Sequence, residues 1–228
     1  MITAIICTRA DNGTHTRNNL LEFFNSCHIK TQLMINQTSI FNAYTQAIQV
    51  SPKENNDFFI FCHDDIEILC SKDSFLDVLN NYLSNPKIGF IGPAGTTHLD
   101  RECVWWNQQL WQQGKHKGLV FHGESLLKAQ PTYYGPYGKV IVLDGLFLAC
   151  NGKIINSIKT EKPKEFPGEW DFYDLYYTTQ AYLNGYNNYA VPIPILHNSR
   201  GELAGRDSWH ANRLAYRQLF NKHLPLSL

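Results

Sequence analysis

The stretch Phe58-Phe59-Ile60-Phe61-Cys62-His63-Asp64-Asp65 decides how the chain is read, because an apolar run gives way at once to three ionisable residues. An aromatic and β-branched run of this length predicts a strand buried on both faces of a parallel sheet. In such sheets ligands bind beyond the carboxyl ends of the strands. Side chains alternate along an extended chain, so His63 and Asp65 are expected on one side and Asp64 on the other. A His63 and Asp65 pair on one side could hold a hard divalent cation. The plainer alternative is that Asp64 and Asp65 cap the next turn, where Asp is common.

Outward from this strand, the pattern alternates. Residues 3–8 read as a first strand, followed by the polar loop Arg9-Ala10-Asp11-Asn12-Gly13 and a helix offering Leu20, Leu21, Phe23 and Phe24 for burial. Residues 31–35 form a second predicted strand, and 39–50 a helix carrying Ile40, Ala43, Tyr44, Ala47 and Ile48. Beyond the acidic cluster, Phe75, Val78, Leu79 and Tyr82 recur at helical spacing over 73–83, Asn85-Pro86 ends that helix, and 88–92 is a fourth strand. Alternation of this kind predicts an α/β fold with a doubly wound, mostly parallel central sheet and helices on both faces, in a single domain over 1–228.

The pattern fails between 96 and 130, a polar and aromatic segment holding Trp105, Trp106, Trp111, His116 and His122. Irregular segments of this length in compact domains are usually functional, so it is expected as an insertion over the site, the alternative being a surface loop. Order returns with a strand over 139–143, then Asp144-Gly145 as a turn at the edge of the same crevice, then the apolar run 146–150. Over 169–184, Trp170, Tyr173, Tyr177 and Ala181 mark a partial helical face closed by Gly185. Asp171 and Asp174, three apart, are expected to share a face near its start, where carboxylates also complement the helix dipole. A short strand over 189–191 runs into Pro192 and Pro194, which indicate an edge or a crossing segment, and His197 emerges at its end. Residues 209–223 read as a basic helix with Arg213, Arg217 and Lys222 on a solvated face.

Composition narrows the function classes. Lys plus Arg and Asp plus Glu both total 20, so no global field recruits nucleic acid. Five Trp and twelve Tyr exceed what a core of this size needs, and exposed aromatic faces suit either sugar rings or protein interfaces. The six cysteines show no CxxC pair and no zinc spacing, which points to a reducing compartment. The opening residues have no basic segment or cleavage site, and no apolar run approaches membrane-spanning length. A cytosolic protein is expected, with peripheral docking on the inner face of the cell membrane left open.

Taken in order, these pieces resemble the family-2-like GT-A glycosyltransferases, which transfer sugars from nucleotide donors, over most of the chain. Their acidic D-x-D-type motif at the end of a buried strand is met by His63-Asp64-Asp65, and a subset is similar in carrying His at the first place after an Ala-Tyr helix like Ala43-Tyr44. Their catalytic Asp, placed eleven residues before Gly-Tyr and followed by Val-Pro and a His, is matched by Asp174, Gly185-Tyr186, Val191-Pro192 and His197. The chain departs from the pattern at Tyr176, where a second acidic residue is common, at Gln180, where Arg is usual, and at Thr45 and Ala47, where Asn and Gly are common.

The resemblance implies an inverting, metal-dependent transfer from a nucleotide-sugar donor, a UDP-sugar first, to a glycan or lipid-linked saccharide, in bacterial surface polysaccharide synthesis. Residues 1–95 become the nucleotide-binding half and 96–228 the acceptor side. Asp65 and His197 are implied as ligands of Mn2+ (or Mg2+), with His63 at the ribose or phosphate. Asp174 is implied as the base, with Asp171 its rival. Thr8, Arg9, Asn36, Asp64 and Arg200 are expected at the nucleotide, and Asp144, Trp105 and Trp106 at the acceptor. Two other classes compete: a sugar nucleotidyltransferase, against which no Gly-rich phosphate loop follows the first strand, and a non-catalytic carbohydrate-binding module, which leaves Asp65, Asp174 and His197 idle.

Overall fold

Burial on both sides of the strand Phe58–His63 is the feature from which the architecture grows. The computed structural model describes residues 1–8, 15–51, 54–199 and 207–228. In chain order the elements are β1 (Ile2–Thr8), α1 (His15–Ser26), β2 (Lys30–Ile35), α2 (Ile40–Gln49), β3 (Phe58–His63), β4 (Ile66–Ile68), α3 (Lys72–Leu83), β5 (Ile88–Gly92), β6 (Ala94–Thr96) and β7 (His98–Leu99). They continue with α4 (Gln108–Gln112), β8 (His116–His122), β9 (Gln130–Gly135), β10 (Gly138–Val140), β11 (Val142–Leu143), β12 (Phe147–Asn151) and α5 (Gly152–Ser157). The last are α6 (Tyr173–Leu183), β13 (Asn187–Ala190), β14 (Ile195–His197), α7 (Asp207–Leu219) and β15 (Leu226–Ser227).

Among the described residues, seven strands make the main sheet in the order β10-β13-β5-β12-β3-β1-β2. Strands β2, β1, β3, β5 and β13 run the same way, whereas β12 and β10 run against them, so the sheet is parallel in its larger part. The apolar run after Asp144-Gly145 is therefore a central strand, antiparallel between β3 and β5. In β3 every residue before His63 is buried. Phe61 meets Tyr44 of α2, ring centroids 4.9 Å apart, and Tyr44 in turn meets Tyr173 of α6 at 5.6 Å. Phe147 is paired with Cys62, so it points to the other face, where it meets Phe75 of α3 at 6.0 Å. Helices thus cover both faces, as the alternation predicts.

A second sheet, β11-β6-β8-β14-β4 with β9 paired to β8, is built from pieces that leave the first. The chain crosses between sheets at Pro93, at Ile141 and over 192–194. The expected single strand over 139–143 is accordingly two, β10 in the main sheet and β11 in the second. At the first crossing β8 passes so close that a Cβ on Gly118, whose φ is +104°, would run into the Pro93 carbonyl.

The expectation of an irregular insertion over 96–130 is corrected: the segment contains β7, α4 and β8, and β8 is an interior strand of the second sheet. Its alternation is real, but its buried positions are His116, Gly118 and Val120, which carry little hydrophobic signal. His116 is fully buried and satisfied by Thr96 Oγ1 at 3.1 Å and Asn107 O at 3.0 Å. The helix expected from 169 begins at Tyr173, because Phe172 takes a left-handed φ of 69°. At its far end Gly185, at φ +86°, stops the helix where expected.

Asn188 fastens the main sheet, the crossing at Ile141 and α6 together. Its fully buried side chain donates to Ile141 O at 2.6 Å and Thr178 O at 2.8 Å, and accepts from Phe90 N at 2.8 Å. Asn188→Ala strands three buried backbone groups and is expected to cost about 3 kcal/mol. For a chain of this size that lowers the melting temperature by about 6–12 °C, measurable by calorimetry; a change below about 2 °C would remove Asn188 from this role.

Candidate active site

The chain leaves its buried strand at His63, turns through Asp64 and Asp65, and enters β4, which pairs antiparallel with β14 so that Ile66 lies opposite His197. Asn198 N donates to Asp65 O at 2.8 Å and fastens the same junction. Three potential ligand atoms meet there: one each from His63, Asp65 and His197, all within 4.8 Å of one another. His197 Nε2 lies 3.5 Å from Asp65 Oδ1, and His63 Nδ1 lies 3.8 Å from the same oxygen. Ligands about 2.1 Å from a shared ion sit about 3.0 Å apart at a right angle and about 4.2 Å apart in line, so these spacings suit one cation.

Hydrogen bonding sets the protonation of His63. The Tyr173 hydroxyl donates its single proton to Gly145 O at 2.8 Å, since a carbonyl can only accept. It therefore accepts from His63 Nε2, 3.0 Å away, and the neutral ring turns an unprotonated Nδ1 toward Asp65. Two lone-pair atoms consequently face each other, and Asp65 Oδ1 is buried without a hydrogen bond from the described residues. The donor set fits a divalent cation, which would satisfy both.

Electrostatics agree. Burial, followed by the nearby His197, keeps His63 below the usual imidazole range. Burial acts to raise the Asp65 carboxyl, but the two imidazoles beside it hold it below its ordinary value. Burial acts to lower His197, and the Asp65 carboxylate overcomes it, so that imidazole is raised. His122, at the end of β8, is lowered by burial and by His197.

Across the Tyr173–Gly145 contact lies a second carboxylate pair. Asp174, in the first turn of α6, accepts from Gly145 N at 3.0 Å, and Asp144 accepts from Leu146 N at 3.3 Å in its own tight turn. Burial and then the Asp144 charge push Asp174 up to about 7. Both face an open cavity of about 100 Å³ walled by His63, Trp106, Trp170 and Trp209. Trp209 stacks near Trp106 at 5.6 Å and Phe172 at 5.4 Å.

Asp171 lines the same cavity but is not on the helix face with Asp174, which corrects that expectation. The left-handed Phe172 separates them, and Asp171 accepts from Ser208 Oγ at 3.1 Å while its carbonyl accepts from Asn212 Nδ2 at 3.0 Å. Trp105 does not reach the cavity. It is 2% exposed and packs beneath Trp106, against His116 and Tyr134. Thr8 is buried at the end of β1, its hydroxyl accepting from Arg17 Nη1 at 2.8 Å, and Asn36 stands beside it, donating to Thr8 O at 3.0 Å. The Asp64 charge adds to the burial that raises Cys7, so Asp64 acts on this β1 side of the strand ends. Arg9 and Arg200 lie outside the described residues. Tyr173, Trp170, Trp209 and Arg17 enter the site or its margin without having been singled out for it; an aromatic at the start of a helix reads as core from sequence.

A family model described as a glycosyltransferase-like family matches residues 13–201. A solved structure described as GalNAc-T7 with UDP, GalNAc and Mn2+ superposes with a TM-score of 0.54 at 10% identity, covering 92% of this chain and 44% of that one. At that identity the likeness concerns the GT-A fold. A197 from STIV (TM-score 0.43, 12% identity, 87% of this chain and 82% of that one) and a glycosyltransferase involved in glycosylation of the major capsid of PBCV-1 (0.37, 11%, 96% and 98%) also align, too loosely to argue from. No curated protein matches the chain in sequence.

Asp65→Asn removes the negative charge that raises His197. In metal-free protein, His197 is then expected to titrate at lower pH than in the wild type, followed by NMR of the imidazole resonances. An unchanged titration would mean that the pair does not form in solution.

Proposed function

The chain belongs to the glycosyltransferase-like family and is a glycosyltransferase of GT-A fold, and from that premise we propose that it transfers a sugar with inversion from a nucleotide-sugar donor to a hydroxyl of a glycan or lipid-linked saccharide. The observation that carries this reading is the placement of the His63, Asp65 and His197 group beside Asp174, with the Tyr173 hydroxyl between them. Asp65 and His197 would hold the cation, joined by His63, expected at the ribose or phosphate but meeting them here, and mixed imidazole and carboxylate donors suit Mn2+ better than Mg2+. Bound there, a divalent cation supplies electrostatic stabilisation of charge on the departing diphosphate.

The chain's own residues do the rest. Thr8, Asn36 and Asp64, at the strand ends beside the group, receive the nucleotide, together with Arg9 and Arg200; a UDP-sugar is the first donor to try. Asp174 is held by Gly145 N–H at one oxygen, and its carboxylate would take the proton of the acceptor hydroxyl. The acceptor O–H bond breaks with its proton passing to Asp174, the oxygen bonds to the anomeric carbon, and the bond to the diphosphate breaks with its electron pair leaving on phosphate. A single displacement of this kind needs one base and no enzyme nucleophile. Trp106, Trp170 and Trp209 offer indole faces to the acceptor ring, with Asp144 to accept from its hydroxyls. A carbohydrate-binding module has no use for a carboxyl raised to about 7, which lies where a general base at neutral pH is best placed.

Incubation with UDP-, GDP- and CDP-sugars and Mn2+ is expected to release nucleotide from one of them slowly, and faster once an acceptor is supplied; none released from any donor would reject the reading. Asp174→Asn is expected to abolish transfer while nucleotide affinity stays within about twofold. Wild-type kcat/KM should fall about tenfold per pH unit below about 7, as the base becomes protonated. Near-normal turnover in Asp174→Asn would shift the base to Asp171 or Asp144.

The same carboxyl affects stability. Because its folded value is raised, the native state holds the proton more tightly than the unfolded one. The contribution is present at acid pH and is lost as pH rises through about 7. Asp174→Asn should therefore be more stable than the wild type at pH 8, by about 2–4 kcal/mol, and similar to it near pH 4, as judged by urea titrations at the two pH values.

A further inference from the structure

His122 closes β8 and is the register partner of His197 in the parallel pair β8–β14. Directly opposed residues project from the same face of a sheet, and the two rings stand with centroids 5.8 Å apart, about as far as His63 stands from His197 at 5.6 Å. The backbone beneath His122 is held from both sides, by β14 and by Gln130 of β9, and Gly123 N donates to His197 O at 3.2 Å. Its ring is only half-buried, and neither nitrogen is hydrogen-bonded to a described residue. It is not one of the three groups whose ligand atoms converge on Asp65. It stands beside the cation group on the face of the second sheet that carries His197.

A leaving diphosphate has to lie against that cation group. One of its oxygens must reach the cation group and another must face the anomeric carbon, while no described Lys or Arg lines the cavity beside His63. An imidazole offers an N–H whether neutral or protonated, one in the first case and two in the second. Hydrogen bonds from such donors to phosphate oxygens are among the stronger ones, because the acceptor is charged.

We propose that His122 donates a hydrogen bond to the phosphate nearest the sugar, holding the leaving diphosphate against the group formed by His63, Asp65 and His197. This rests on the nucleotide-sugar reading above. It adds a contact from β8 to a donor site otherwise assembled from the ends of the main sheet and from β14. In this role His122 touches the leaving group and not the cation.

The test compares the wild type with His122→Ala and His122→Gln by calorimetric titration of UDP, GDP, CDP and ADP in the presence of Mn2+, with the matching nucleoside monophosphates in parallel. Mn2+ alone is titrated by electron paramagnetic resonance. For the diphosphate that binds best, His122→Ala is expected to weaken affinity about tenfold or more, and the amide N–H of His122→Gln to restore part of the loss. The monophosphate and Mn2+ alone should bind all three proteins alike. Equal diphosphate affinity across the three folded proteins overturns the assignment while leaving the donor reading intact. Weaker Mn2+ binding in His122→Ala overturns it in another way, by making His122 a cation ligand. A wild type that binds Mn2+ but none of the diphosphates brings down the donor reading and this inference together.

Discussion

A strand buried on both faces can carry no charged side chain, and no polar one without a partner, until it ends, and that constraint governs this molecule. In β3 every residue before His63 is buried, with Tyr44 of α2 against Phe61, so the chain has no place for a charged group before His63. The same burial requires neighbours on both sides. β1 and β12 supply them, one parallel and one antiparallel, and their own ends bring Thr8 and the Asp144-Gly145 turn to the rim where His63 emerges. The site is a consequence of where the core stops.

At that rim a single hydroxyl proton organises the chemistry. Tyr173 gives it to Gly145 O, which obliges His63 to donate from Nε2 and leaves an unprotonated Nδ1 facing Asp65. The same Gly145 offers its N–H to Asp174. The two carboxylates on either side of this link are pushed in opposite directions, Asp65 downward by two imidazoles and Asp174 upward by burial and Asp144. A carboxylate held ionised can anchor a cation, whereas one poised near neutrality can exchange a proton. Opposite acid strengths for two chemically equivalent groups follow from their surroundings.

Parts of this were legible in the residues alone, for local reasons. Double-sided burial writes itself as an unbroken apolar run, so β3 and its acidic end are plain in the sequence. One-sided burial of a helix writes itself as a period of 3.6, so α2 and α3 were visible too. β8 was hidden because its inward positions are His116, Gly118 and Val120, whose fit depends on Thr96, Pro93 and other partners distant in sequence. The left-handed turn at Phe172 has no period and no glycine to announce it, and it is what removes Asp171 from the helix face. Trp105 and Trp106 are adjacent in a stretch without periodicity, and only packing decides which one is buried beneath the other.

The sequence by itself determined the chemical inventory and its order: a buried strand ending in His63-Asp64-Asp65, a carboxylate near the start of a late helix, and a histidine after a proline-bearing crossing. Those are consequences of local burial and backbone preference, which neighbouring residues carry. Only the tertiary structure decided that β4 would pair with β14 and bring His197 onto Asp65, that His122 would stand beside it from another strand, and that Tyr173 would bridge His63 to Gly145. Strand pairing and hydrogen bonding between segments far apart in the chain draw their stability from the whole assembled core, and no short window of sequence contains it.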